Sequence, residues 1–495
     1  MPAPTRSSSL SRQYVRQRRR IMGRVALVGC GCGTADLLTR KACVLIRQAD
    51  CILYDHLIDP YVLGFAQDRC DLVFVGKESG NHAFSQEQIN AMLVELSEKY
   101  SLVVRLKGGD PYVFGRGSEE AKVLYEHGIG FEVVPGISSC IAGLSYAGIP
   151  VTERETARGF RVYTAHSKDG KLPDLDFEEL ARTSDTVVFL MGRKNLPRIV
   201  GGYQKAKAPD LPIALVSNAA RPEQASCIGK LSTILALVEK GNYPAPTLIV
   251  VGRTVKAAPV LNWYERLPLF DKKILYMHGS DRCDLLQPLS DLGAMVDAPA
   301  AFEKIVYDIG NVDLLEYDWL VLTSPTAVDL FMEHMKKRHL DVRLLPRIAV
   351  VQEQSAKKLA GYGLFADLVG DRDAGRLVAL LNEKIDLFSR VLIPHAAANV
   401  EAFKELKCPA DIRILYEMKE RKWDPAYEYY DAGLFTSARA ARDALRHGVQ
   451  ARLAISIGPK TTTVLKKGKF KQIIEVSKPD LQEMIECLKG SINHV

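Results

Sequence analysis

From Gly23 onward the chain alternates short β-rich runs with helical stretches: Val25–Gly29, Asp50–Tyr54, Leu102–Leu106, Phe131–Val134, Thr186–Met191, Ile213–Val216 and Thr247–Val251 are the runs of the first half. Each gap between them is long enough for a helix, and that alternation restricts the fold to α/β sheets with helical crossovers. One helix is defined by its own start signal. Ser85 with Gln88 three residues on forms a capping box, and Ile89, Met92, Leu93 and Leu96 then follow a helical stripe that reads as core.

Near residues 256–270 the pattern pauses in a segment with Pro259, Trp263, Pro268 and Phe270, and a new β/α series opens at Lys273–His278. The division expected is a disordered basic extension over 1–21, a first domain over 22–256, a linker over 257–270 and a second domain over 271–495. The second half holds a weak repeat: Trp319–Ser324 followed by Ala327, Val328 and Phe331 parallels Gly433–Ser437 followed by Ala440, Ala441 and Leu445. Two similar lobes are expected, since a solenoid would need at least three units.

The net charge of +7 is concentrated at one end: Arg6, Arg12, Arg16, Arg18, Arg19 and Arg20 occur in the first twenty residues without any acid, so the rest is close to neutral. A basic stripe on the folded part, the mark of a nucleic-acid binder, is not expected. The ten cysteines are scattered without zinc spacing, so a reduced cytoplasmic protein with no structural metal is expected. No run reaches the ~18 apolar residues of a membrane span. Whether translation starts at Met1 or Met22 stays open.

Two glycine-rich turns carry the chemistry of the first half. Val25–Val28 runs into Gly29-Cys30-Gly31-Cys32-Gly33, where bare backbone permits close approach of a ligand. A dinucleotide fingerprint would need glycine where Thr34 stands, which disfavours a dehydrogenase. More specific is Arg105-Leu106-Lys107-Gly108-Gly109-Asp110-Pro111-Tyr112-Val113-Phe114-Gly115-Arg116-Gly117, which leaves a strand, turns tightly, fixes an acid before a proline and sets three cations within twelve positions.

Together with Tyr54-Asp55, Val75-Gly76-Lys77, Pro135-Gly136-Ile137-Ser138-Ser139 and the ending Leu248–Arg253, this string resembles the tetrapyrrole methyltransferases, most closely the uroporphyrinogen-III C-methyltransferases, over residues 23–256. The resemblance implies a two-lobed α/β fold and an S-adenosylmethionine donor in the cleft between lobes. Donor contacts would fall to Gly29, Gly31, Cys32, Gly108, Gly109, Asp110, Val113, Ser138, Ser139, Met191 and Ala219. It implies Asp55 as base, Lys77 as acid or substrate-binding cation, and Arg116 as partner of acceptor carboxylates. A homodimer through this domain is implied as well. The chain departs from the family at Gly31-Cys32-Gly33-Thr34, which lacks a proline and an acid, and at Ala219, where a glycine is usual.

The second half offers hydroxyls at strand ends before helices, Thr323-Ser324 and Thr436-Ser437, and the turn Gly458-Pro459-Lys460-Thr461. Free N–H groups at helix starts suit an anion, although ordinary helix caps have the same pattern. These turns resemble uroporphyrinogen-III synthase, which closes hydroxymethylbilane into the macrocycle. The resemblance implies substrate contacts at Thr323, Ser324, Thr436, Ser437, Gly458, Pro459 and Thr461, and a role for Tyr416 in loss of the substrate hydroxyl. The first-lobe turn is degraded to Gln352-Glu353-Gln354-Ser355. The expectation is a bifunctional enzyme that makes uroporphyrinogen III and methylates it twice to precorrin-2, for cobalamin or sirohaem. Two alternatives are a catalytically silent second half and an RNA methyltransferase of the same fold.

Overall fold

The computed structural model describes residues 23–67, 69–76, 84–167, 169–278, 283–299, 302–371, 373–397 and 400–492. The basic extension and Lys77 therefore lie outside the described residues. The chain forms two units, one ending at Asp271 and including a short return at 292–295, the other holding the remainder.

The first lobe of the first unit is a parallel sheet of Arg24–Gly29 (β1), Cys51–Tyr54 (β2), Asp71–Phe74 (β3), Leu102–Lys107 (β4) and Phe131–Val134 (β5), in the order β3-β2-β4-β1-β5. Apolar residues of β1 and β4 are buried on both faces, as a sheet covered by crossover helices requires. Because β1 lies between β4 and β5, the chain reverses direction across the sheet there. Such a switch point opens a crevice at the carboxyl ends of the strands.

The expected capping box is present at the helix Gln86–Lys99: Ser85 Oγ accepts from Gln88 N at 3.3 Å, and Gln88 Oε1 accepts from Ser85 N at 2.7 Å. Ile89 and Leu93 are buried while Met92 and Leu96 are half-buried. The second lobe is a mixed sheet of Phe160–Thr164 (β6), Thr186–Leu190 (β7), Pro212–Ser217 (β8), Ala225–Lys230 (β9) and Thr247–Val251 (β10), ordered β6-β7-β10-β8-β9. Only β6 and β7 pair in parallel here.

Residues 257–270, expected to link, fold onto this unit as short helical turns. Tyr264 is buried against Tyr146, ring centroids 4.7 Å apart, and Glu265 accepts from Gln224 at 2.8 Å and Ser226 at 2.6 Å. An aromatic and a multiply bonded carboxylate tie the segment down.

The second unit also has two lobes. Its strands are Lys273–Met277 (β11), Met295–Asp297 (β12), Phe302–Val306 (β13), Trp319–Leu322 (β14), Arg347–Val350 (β15), Leu368–Val369 (β16), Val391–Ala396 (β17), Ala410–Glu420 (β18), Tyr430–Phe435 (β19), Ala451–Ser456 (β20) and Phe470–Glu475 (β21). They form two sheets, β13-β18-β17-β14-β15-β16 and β12-β11-β19-β20-β21. The repeat in the sequence is a structural one. Ser324 and Ser437 each stand two residues past a strand with nearly equal φ (−157° and −159°), and each caps the next helix by accepting from Ala327 N and Ala440 N, respectively, at 3.1 Å.

Among the described residues no helix is long and apolar enough to cross a membrane.

Candidate active sites

At the switch point three turns meet. The one after β1 bridges the one after β4 through paired backbone bonds, Gly109 N to Gly31 O at 2.7 Å and Gly31 N to Gly109 O at 3.2 Å. The turn after β5 abuts both: a Cβ at Gly29 would lie 2.5 Å from Gly136 N and 2.6 Å from Gly109 O. Only glycine fits there. Gly109 has φ +68° with only Ser138 Cα and Ser139 N, at 3.7 and 3.9 Å, near where a Cβ would point. Backbone is thus bared toward the cleft, as a cradle for a close-lying ligand needs.

Asp110 ties two of these turns together. Its Oδ1 accepts from Tyr112 N at 2.8 Å and its Oδ2 from Gly136 N at 3.1 Å. Ser138 caps the helix Ser139–Tyr146 without a side-chain bond to it, and its hydroxyl instead receives Cys140 Sγ at 3.2 Å. Val113, Phe114 and Tyr112 stand exposed beyond the turn.

Residues of the second lobe reach the turns that follow β1 and β2. Cys32 Sγ donates to Ala219 O at 3.3 Å, and Arg221 Nη2 reaches Leu57 O at 3.0 Å. Burial pushes the Cys32 thiol up to about 12, so it serves as packing rather than as a nucleophile. Met191, read in the sequence as the last residue of a strand, lies outside it: β7 ends at Leu190, and Met191 turns with φ +57° and is 52% exposed. Its position is a left-handed turn that the apolar run did not signal.

Asp55 follows β2 at the same edge. Its Oδ1 accepts from Leu57 N at 3.0 Å and its Oδ2 from Arg105 Nη2 at 3.2 Å, with its side chain 25% exposed. Behind it lies a buried charge cluster. Glu120 Oε1 accepts from Lys107 Nζ at 2.7 Å, Gln86 Nε2 at 3.1 Å and Arg105 Nε at 3.4 Å. Burial, with Arg105 beside it, lowers the Lys107 ammonium below its ordinary value, and Glu120 opposes the shift. Arg105, Lys107 and Glu120 were not picked as site residues from sequence, although two basic residues in an otherwise apolar strand signal a buried acid partner. Arg116 pairs bidentately with Glu119, at 2.8 and 2.7 Å, on the exposed first turn of the helix Gly117–Glu126.

In the second unit the nominated hydroxyls also gather at carboxyl ends of strands. Ser324 Oγ lies 3.2 Å from Tyr416 Oη, and Thr323 Oγ1 lies 2.7 Å from Nδ1 of buried His395. His395 was missed because a lone histidine in a strand carries no motif. In the other lobe Thr436 donates to Met277 O at 3.0 Å, Ser437 caps its helix, and Gly458 precedes the helix Pro459–Leu465 in which Thr461 is buried. The degraded turn builds the matching feature: Gln352 caps Glu353–Ala360, and Ser355 is buried as Thr461 is, its hydroxyl without a bonding partner.

Residues 24–235 match the family model of Tetrapyrrole (Corrin/Porphyrin) Methylases, and residues 271–486 that of Uroporphyrinogen-III synthase HemD. The chain is 36% identical over 389 residues to Porphyrin biosynthesis protein HemD of Ruminiclostridium josui, covering 76% of this chain and 77% of that protein. The chain belongs to this family, a tetrapyrrole methylase joined to a uroporphyrinogen-III synthase. Uroporphyrinogen-III C-methyltransferase of Bacillus subtilis is 38% identical over 368 residues, 72% of this chain and 75% of that protein. Uroporphyrinogen-III C-methyltransferase of Priestia megaterium is 44% identical over 235 residues, which are 47% of this chain and 99% of that protein. The three turns around Asp110 thus belong to the methylase domain, and the Ser324–Tyr416 pair to the synthase domain.

Proposed function

We propose that the synthase domain closes hydroxymethylbilane to uroporphyrinogen III and that the methylase domain methylates this macrocycle at two ring carbons, giving precorrin-2. The observation that supports the reading best is the junction of three backbone turns through Asp110 with Asp55 at the adjoining strand end.

S-adenosylmethionine, when bound, supplies a methyl group activated by a sulfonium. Gly29, Gly31 and Gly108 let the turns close up on one another, and the uncrowded backbone of Gly109 fits a ligand held close to the chain; Cys32, Val113, Ser138, Ser139, Met191 and Ala219 are its further proposed contacts. Asp110 acts by holding the turns, both its oxygens being spent on backbone N–H groups. Asp55 takes up the proton that leaves the ring carbon once the new C–C bond has formed. Arg116, already paired with Glu119, exchanges that exposed partner for an acceptor carboxylate, an exchange its planar fork permits. Lys77 would assist as acid or cation.

In the synthase domain Tyr416 assists departure of the substrate hydroxyl, held by Ser324, while Thr323, Thr436, Ser437, Gly458, Pro459 and Thr461 receive substrate carboxylates. A homodimer through the methylase domain completes the reading. The test is to supply uroporphyrinogen III and S-adenosylmethionine anaerobically to the wild-type chain and to Asp55→Asn. Two methyl groups gained by the first, and a rate lowered at least about a hundredfold but still measurable in the second, support the reading; no methylation by the wild type overturns it.

A further inference from the structure

Strand β4 is buried along its whole length, yet it carries Arg105 and Lys107 two residues apart, and so on one face. The acid between them is Glu120, on the first turn of the helix that Arg116 opens. Side-chain exposure is 5% for Arg105, 6% for Lys107 and 0% for Glu120. Two cations this close and this dry would repel each other without a shared anion. Glu120 is therefore the centre of the cluster, and all three donors converge on one of its oxygens.

Its other oxygen, Oε2, is buried without a hydrogen-bond partner. A carboxylate recruited only to neutralise charge would be expected to satisfy both oxygens, because each orphaned one carries a desolvation penalty. The arrangement instead favours direction. With Nε on Glu120, Nη1 on Leu106 O at 2.7 Å and Nη2 on Asp55 at 3.2 Å, the Arg105 guanidinium is fixed along three bearings. Such a planar fork, once oriented, dictates where its third partner must sit.

We infer that Glu120 is a positioning residue for methyl transfer, setting Asp55 through Arg105 without itself touching substrate. The inference rests on the proposed role of Asp55. Loss of the Glu120 charge removes one of the three bearings and leaves the guanidinium to pivot about Leu106 O, so that its hold on Asp55 loosens and the bond from Leu57 N alone stays fixed. The carboxylate loses its aim while the donor cradle, built from the glycine turns and Asp110, is untouched. An error of about 1 Å in a reacting group can cost on the order of a hundredfold in rate.

The experiment is a double-mutant cycle on the full chain, with Asp55→Asn, Glu120→Gln and the double variant assayed with uroporphyrinogen III and S-adenosylmethionine. Glu120→Gln is expected to lower kcat about tenfold or more with the KM for S-adenosylmethionine within about twofold of wild type. In the Asp55→Asn background the same change is expected to add less than about twofold, since both act through one carboxylate. S-adenosylhomocysteine affinity, measured by calorimetry, is expected to stay unchanged. An unaltered kcat for Glu120→Gln, or a full additive loss in the double variant, overturns the inference.

If Glu120→Gln does not fold, Gln86→Met removes one of the three donors at a half-buried position. It is expected to lower kcat about threefold in wild type and not at all in Asp55→Asn, and a Gln86→Met chain with wild-type kcat is contrary evidence of equal weight. An Asp55→Asn chain with wild-type kcat would sink the reading of Asp55 itself. A strongly slowed Asp55→Asn beside a fully active Glu120→Gln would sink only the inference about Glu120.

Discussion

The Asp110 carboxylate accepts the backbone N–H of Gly136, 26 residues further along the chain, at 3.1 Å, and so joins the turns that follow β4 and β5. Its remaining oxygen holds Tyr112 N within its own turn at 2.8 Å. An amide in its place can accept at one oxygen only and turns an N–H₂ group toward the other donor. Asp110→Asn is therefore expected to lose about 1–3 kcal/mol of stability and to bind S-adenosylhomocysteine more weakly. Calorimetry with urea unfolding of the same protein reads both, and unchanged affinity would count against the role given to this turn.

Gly29 and Gly128 separate crowding from backbone strain. An alanine methyl at Gly29 would overlap the backbone of Gly136 and Gly109, whereas Gly128, at φ +68°, has nothing within 4 Å of the position. Gly128→Ala is expected to cost only the left-handed conformation, about 1–2 kcal/mol, with methylation retained. Gly29→Ala is expected to exceed that cost and to abolish methylation, read by thermal unfolding beside a methyl-transfer assay.

Tyr416 and Ser324 belong to the synthase domain, whereas the groups proposed for methyl transfer belong to the methylase domain. Removing the phenol hydroxyl with Tyr416→Phe takes away the 3.2 Å contact with Ser324 while leaving the ring in its buried place. Conversion of hydroxymethylbilane to the type III isomer is expected to slow by at least about tenfold, and methylation of supplied uroporphyrinogen III to be unaffected. Equal type III yield from the variant would move the hydroxyl-loss step elsewhere.

His334, on the helix Pro325–Lys337, is held below its ordinary value chiefly by burial, with Arg338 and Lys337 adding to the shift and Asp308, 3.8 Å away, opposing it. The unfolded chain, with a histidine near pH 6.5, takes up this proton before the folded one does. Stability is thus fully present above about pH 6.5 and is lost as pH falls through the lower folded value. A His334→Gln chain is expected to lose less stability than wild type between pH 7.5 and 5.5 in urea unfolding. Parallel losses would show that His334 does not contribute.

The central strands of the first unit were legible because β-rich runs such as Val25–Gly29 and Leu102–Leu106 are buried on both faces and lead into glycine turns. Asp71–Phe74, Phe160–Thr164 and Ala225–Lys230 were not read as strands: each lies at a sheet edge and leaves positions exposed. Motifs located the turns at Gly29, Gly108 and Gly136, since the glycines there answer to local backbone crowding. What they could not locate is long-range charge pairing. Nothing in the spacing of Arg105, Lys107 and Glu120 states that all three are buried together with Gln86, because that depends on how two helices cover β4. The Thr323–His395 contact spans 72 residues and was equally invisible.

The most direct test is to incubate the full chain with freshly generated hydroxymethylbilane and S-adenosylmethionine under anaerobic conditions, following product mass and, after oxidation, porphyrin isomer type. A type III macrocycle carrying two added methyl groups is the predicted result. A type I macrocycle bearing methyls would mean spontaneous closure beside a silent synthase domain. No methyl on either isomer would contradict the account and direct attention to structured RNA as the acceptor.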